Sequence, residues 1–288
     1  MSVAGIAAAF GVVHVALERA LLPRVIPGIS RLSRSAASDV VVQIMWLIGA
    51  TPIPFLYAHA LPALSASVSQ RWHGTMQAVH WAMVLHLGST VYEMGVYLVY
   101  GKSWVYTAHH LIVLYAYGLA IHYGTMHFWG AWDGLTELTN IFICILKLCL
   151  LLDRGRGTVL EVVNGSLLYV TYVACRLVSL PCWLALFAHD LYSHPELTWR
   201  AGGGHEIAHK LMCMSFPVCT LAVWLLSCAW FVQIHRGMMK ALRGVDPLAG
   251  DSGATNGRVE KLLGNGSEAQ RRTTRHSKKS ARGDERRE

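Results

Sequence analysis

Charge is what this chain has least of. Only 15% of its 288 residues are Asp, Glu, Lys or Arg, against about a quarter in an ordinary soluble domain. That scarcity, with 53% hydrophobic residues and a mean hydropathy of +0.37, argues for a membrane protein. Other absences narrow the classes further. None of the seven cysteines forms a CxxC, and all lie inside apolar stretches, so neither a disulfide framework nor a zinc ribbon is expected. They read as small buried hydrophobes. There is no P-loop, no Rossmann glycine fingerprint and no nucleophile-elbow serine. The first 22 residues lack a basic n-region and an A-x-A cleavage pattern, so they read as a first span and not as a signal peptide. No internal repeat stands out.

What is present is a series of apolar runs. A helix needs about 20 residues to cross the hydrocarbon. Seven stretches qualify, at roughly 2–22, 39–61, 75–100, 104–128, 131–152, 159–188 and 206–235. The expected fold is all-α and multi-pass, with about seven transmembrane helices. Ser38 and Asp39 are positioned to cap the second helix, and Pro52 and Pro54 predict a kink or break within it. The expected organisation is a first helix and basic loop over 1–38, a membrane domain over 39–242, and a disordered basic tail over 243–288.

Net charge is +8, which could suggest nucleic acid, but its distribution does not. From residue 243 onward eleven Lys/Arg face seven Asp/Glu, so half of the net charge lies in the tail. The rest marks alternate loops. Arg24, Arg31 and Arg34 follow the first span, Lys102 the third, Arg154 and Arg156 the fifth, and Arg236 and Lys240 the seventh. The opposite loops carry only Arg71, no basic residue after the fourth span, and Arg200. The positive-inside rule therefore puts the N-terminus outside the cytosol and the tail within it. No nucleic-acid partner is expected. The tail holds its own reporter, the sequon Asn265-Gly266-Ser267. A cytosolic tail is never N-glycosylated. A glycosidase-sensitive mass shift that disappears in Asn265→Gln overturns this orientation.

Polar residues recur inside these spans, where an ionisable group is a candidate functional residue by default. Glu93 lies on the third span and the adjacent pair His109-His110 on the fourth. Glu137, Thr139, Asn140 and Lys147 lie on the fifth, and Arg176 on the sixth. At a helical rise of 1.5 Å per residue, Glu93, His109, His110 and Lys147 come about 8–10 Å from the cytosolic ends of their helices. Glu137 and Arg176 fall deeper, at about 20–25 Å with His86 near them, and are expected to pair. His80, His122 and His127 are expected to serve only as interhelical hydrogen-bonding groups. Two adjacent imidazoles point about 100° apart and cannot share one structural partner, so the His109-His110 pair is the leading candidate for chemistry. A histidine can act as general base, proton shuttle or acyl-accepting nucleophile, with Glu137 to orient it.

A competing motif is GGGHEIAHK, in which His205, Glu206 and His209 match the H-E-x-x-H pattern of zinc peptidases. No Asp or Glu occurs between Glu206 and Asp246, and no histidine follows at metzincin spacing, so the third ligand is missing. These three residues remain marginal metal candidates, and no metal or other cofactor is expected.

The stretch from Tyr92 to Arg176 resembles the TLC-domain family, named for translocating-chain-associated membrane proteins, ceramide synthases and a neuronal lipofuscinosis protein. The resemblance rests on Tyr92-Glu93, on His109-His110, on Glu137-Leu138-Thr139-Asn140 with Lys147, and on an aromatic-rich run ending in Arg176. In ceramide synthases the histidine pair is followed at this spacing by Asp-x-Ser-Asp and then a lysine. Here Glu137 takes the first Asp position, Thr139 the Ser position and Asn140 the second Asp position. Loss of that second carboxylate is more similar to the broader TLC-domain proteins than to ceramide synthases. The resemblance implies six helices around a polar cavity, one flanking span, an endoplasmic-reticulum membrane with a lumenal N-terminus, and a role in membrane-lipid homeostasis. It leaves two classes open. One is acyl transfer from acyl-CoA to a lipid amine such as a sphingoid base. For that reaction His109, His110 and Glu137 would be catalytic, with Glu93, Thr139, Asn140, Lys147 and Arg176 holding substrate. The other is a non-catalytic lipid-binding or export role.

Overall fold

The computed structural model describes residues 2–26, 33–100, 104–152, 158–200 and 206–242. Among them there is no strand. Seven helices are long and apolar enough to cross a membrane: α1 (Val3–Arg24), α2 (Ser35–Leu64), α3 (Gln77–Tyr100), α4 (Trp104–Tyr123), α5 (His127–Leu151), α6 (Val159–Ser193) and α7 (Glu206–Met239). The protein is thus an all-α multi-pass membrane protein. Arg31, Lys102, Arg154 and Arg156, on which the expected orientation rests, lie outside the described residues, as does the tail from 243.

Sequence placed the spans but missed some of their edges. The cap of the second helix is Ser33, whose Oγ accepts from the Ala36 amide at 3.2 Å, and not Ser38 or Asp39. Those two lie inside the helix and are buried, and the Ser38 hydroxyl meets His14 across the bundle. The fourth and fifth helices meet at Gly124–Met126, where Gly124 and Met126 both adopt φ of 61°. That left-handed turn ends α4 five residues early and starts α5 four residues early. The expected disturbance at Pro52 takes the form of a π-helical turn, Trp46–Ala50, with Pro52 beginning the α-helix beyond it. Pro lacks an N–H, so it sits without loss at a helix's first turn.

Close approach of the helices depends on small residues. A Cβ at Gly88 of α3 would collide with Ile6, and one at Gly49 of α2 with Phe10, so α1 is keyed into notches on both neighbours. A polar tie adds to this packing. His14 Nδ1 and the Tyr92 hydroxyl share a 2.6 Å hydrogen bond, and Ser38 Oγ lies 3.3 Å from His14 Nε2. His14, on the least buried span, is therefore a structural residue that fastens α1 beside Glu93.

At one end of the bundle two short helices, Val68–His73 and Pro195–Thr198, close the connections α2–α3 and α6–α7. Trp72, Trp129, Trp183 and Phe187 form a fully buried aromatic block there, with Trp183 and Phe187 rings stacked at 4.7 Å. Asp190, completely buried, accepts from Arg71 Nε at 2.7 Å, Arg71 Nη2 at 2.6 Å and Trp72 Nε1 at 3.2 Å. His73 and His209 donate to the carbonyls of Leu197 and Thr198, at 2.8 and 2.6 Å. This end is sealed.

Candidate functional site

Two histidine–carboxylate pairs occupy the interior. The first joins α3 to α4, with His110 Nε2 3.4 Å from Glu93 Oε2 and both residues buried. The geometry is a contact and not yet a hydrogen bond, so His110 Nε2 has no hydrogen-bond partner. Tyr97 lies against the imidazole, ring centroids 5.4 Å apart. His109 points elsewhere, as adjacent helical positions must. Its ring packs edge-on against Trp230 of α7 at 5.8 Å, and its buried Nδ1 is also unpartnered. Among the described residues no carboxylate forms an ion pair with it. Lys147 rests over the Tyr106 ring at 5.8 Å, within electrostatic range of Glu93.

The second pair joins α3 to α5, with His86 Nε2 3.7 Å from Glu137 Oε1. Glu137 was expected to orient the histidine pair. It faces His86 instead, and Glu93 takes the place beside His110. The expected direct pairing of Glu137 with Arg176 is also absent. Asn140 stands between them, donating from Nδ2 to Glu137 Oε2 at 2.8 Å while its Oδ1 accepts from Arg176 Nη2 at 3.3 Å. A neutral amide serves here because it presents a donor to the carboxylate and an acceptor to the guanidinium, which a second carboxylate could not do.

Arg176 is held from several sides. Its Nε donates to Thr139 Oγ1 at 2.8 Å, its Nη2 also reaches the Thr136 carbonyl at 3.2 Å, and its Cζ lies 5.5 Å from the Tyr172 ring centroid. The π-helical turn Val173–Val178 carries it. Such turns are rare and recur at functional sites, since the extra residue re-aims a side chain without ending the helix. Trp46, on the π turn of α2, packs edge-on to His86 at 6.5 Å.

Of the sequence candidates, the structure gathers Glu93 with His110, and Glu137, Thr139, Asn140 and Arg176 into one hydrogen-bonded group. His109 and Lys147 are set against aromatic rings beside them. His86 and Asp133 were missed as site residues. Asp133 had a readable signal, because 133, 136, 137 and 140 are spaced to share one helical face. His127 behaves as a structural group, its Nδ1 accepting from the Met76 amide at 3.0 Å. Of the metal motif, His205 lies outside the described residues. Glu206 is exposed, and His209 spends its Nε2 on the Thr198 carbonyl. Among the described residues no group of three His, Cys, Asp or Glu could hold a metal ion.

The interior leaves a cavity of about 30 Å³, and no imidazole lines it. Tyr97, Tyr106 and Trp230 pack around the histidine pair, and this cavity lies between α4, α5, α6 and α7.

Compared with known proteins, residues 38–236 match the family profile of the TLC domain. The chain belongs to the TLC-domain family. Over 139 residues it is 25% identical to TLC domain-containing protein 4-B of Danio rerio, covering 48% of this chain and 49% of that protein. The chain thus spans about half the length of the curated relative it matches. No solved structure matches. The matched segment begins at Ser38, so α1 precedes it entirely.

Proposed function

We propose that this TLC-domain protein acts in membrane-lipid homeostasis through its buried histidines, with His110 and Glu93 handling a proton at a lipid's polar group. The observation that carries this reading is the His110–Glu93 pair, an unpartnered imidazole nitrogen 3.4 Å from a buried carboxylate. Short rotations close such a contact, and pairs of this kind are often loose before substrate arrives. His86 and Glu137 repeat the arrangement, and Arg176 is the fixed cation beside them. An endoplasmic-reticulum membrane and a cytosolic C-terminus are part of the same proposal.

A second reading is ceramide-synthase-like acyl transfer. A lipid amine, such as a sphingoid base, attacks the thioester carbonyl of an acyl-CoA. His110 takes the amine proton, an amide bond forms, the carbon–sulfur bond breaks, and the thiolate leaves to be protonated. The motif favours it in Glu137, Thr139 and Lys147, and Asn140 departs from it. A third is a non-catalytic lipid-binding or export role.

Lipid profiles of a cell lacking the protein, complemented with wild type, His109→Asn or His110→Asn, test the proposal. Asparagine keeps one hydrogen-bonding edge but cannot serve as a base near neutral pH. His110→Asn is expected to leave the null profile uncorrected at wild-type expression, while His109→Asn restores most of it, since among the described residues no carboxylate pairs with His109. Accumulating amide product lost with His110→Asn selects the acyltransferase. Full restoration by both variants makes the pair structural and ends the proton-handling reading.

A further inference from the structure

The cavity of about 30 Å³ is walled by Tyr117 of α4, Trp129, Gly130 and Asp133 of α5, Trp183 of α6, and Phe216 and Thr220 of α7. It exceeds the roughly 10–15 Å³ that one water needs. Ile112, Ala116 and Cys219 complete it and are only partly buried, so it reaches the outer surface of the bundle, where lipid tails would lie. Asp133 projects into it about 9 Å from the start of α5, by helical rise. Its Oδ1 is buried and has no hydrogen-bond partner.

Charge accounting makes that oxygen informative. Asp133 is within electrostatic range of both the guanidinium of Arg176 and the carboxylate of Glu137. Arg176 spends its donors on Thr139, Thr136 and Asn140, and Asn140 links it to Glu137. Two carboxylates therefore share one cation, and Asp133 is the one left over. Asp133 as a whole is only partly buried, but leaving its buried Oδ1 unpartnered is costly, the more so beside lipid. The walls favour an organic cation. Aromatic faces attract ammonium groups by their quadrupole, and four aromatic residues line this space. Among the described residues no cluster suits a metal ion. The bare Oδ1 asks for an N–H donor, which a quaternary ammonium lacks and a primary amine supplies.

We propose that this crevice binds the protonated primary amine of a membrane amphiphile, with Asp133 as counter-ion, Tyr117, Trp129, Trp183 and Phe216 around the head, and the chain left in the bilayer. The site is separate from the His110–Glu93 pair and meets the histidine region through Tyr117, whose ring lies 4.9 Å from that of His86. An amine head can come from a single-chain amine or from an aminophospholipid, and both present the same chemistry to Asp133.

The test is the melting temperature of the purified full-length protein in a maltoside micelle, titrated with decylamine, decanol, decyltrimethylammonium or lysophosphatidylethanolamine. A ligand that binds only the folded state raises the melting point in proportion to its affinity. Decylamine is expected to stabilise, and decanol and decyltrimethylammonium to do so much less. A response to decylamine alone assigns a phosphate-free amine, and a response to the lysophospholipid assigns aminophospholipids. Asp133→Asn is expected to weaken decylamine binding by at least about tenfold, the loss of a charge-assisted bond. Should Asp133→Asn fold poorly, Ala116→Leu fills the crevice from its lipid-facing edge, keeps Asp133, and is expected to weaken binding as strongly. His110→Asn keeps the amine response, so this inference and the proposed function fail independently. Equal stabilisation by decanol, no response to either amine, or undiminished binding in Asp133→Asn and Ala116→Leu overturns it.

Discussion

Replacing Asp190 by alanine is expected to remove about 3–5 kcal/mol of stability, the usual loss when one member of a buried ion pair is deleted. The carboxylate is completely buried and accepts two charge-assisted bonds from one guanidinium, the forked geometry that carboxylates bind most strongly. It also accepts from the Trp72 indole, so its loss strands a cation and a buried N–H together. No other acidic side chain forms an ion pair with Arg71 among the described residues. Arg71 is itself partly exposed and can turn toward water, whereas the fully buried Trp72 indole N–H cannot. Thermal unfolding in detergent should show a fall on the order of 10 °C. Asp190→Asn keeps shape and one acceptor, so it should fall between wild type and alanine. Melting of Asp190→Ala at the wild-type temperature would mean the clamp is ornamental.

Arg176→Met is the other severe lesion. It deprives Thr139 Oγ1 and Asn140 Oδ1 of their guanidinium donor at once and leaves the Thr136 carbonyl with the Thr139 hydroxyl alone among side-chain donors. It also removes the cation that faces Asp133 and, through Asn140, Glu137. A cost of about 3–5 kcal/mol is expected. Arg176→Lys should recover little, because an ammonium cannot span three acceptors from the place of a planar fork. Arg176→Met with Glu137→Gln should be more stable than Arg176→Met alone, since the second change removes a stranded charge. The recovery is partial, because the orphaned Thr139 and Asn140 acceptors remain. Strictly additive penalties in a melting assay would show that Asn140 transmits no coupling between the two.

Much of this architecture was readable before any coordinates. The spans were legible because twenty apolar residues in a row have few other uses, and the site candidates because charges inside them are expensive. Partner choice was not legible. Depth along a helix placed Glu137 near Arg176, but depth carries no information about rotation around the helix axis. Rotation decides that Glu137 meets His86, that Glu93 meets His110, and that Asn140 comes between Glu137 and Arg176. The π turns hide for the same reason. One extra residue per turn leaves no mark on composition, yet it sets the direction of Arg176 and every register beyond it. Ser38 misled because a serine before an apolar run looks like a cap, and its real partner lies on another helix at His14.

The keying of α1 bears on where this protein begins as a physical object. Homology starts at Ser38, yet Ile6 and Phe10 fill notches in α3 and α2 that the matched segment itself supplies. A fragment cut at the homology boundary would present two glycine-floored grooves and the bare Tyr92 hydroxyl to the bilayer, one residue from Glu93. Inherited sequence and folding unit therefore have different edges here. The side chains of α1 find their seats only once α2 and α3 stand beside it.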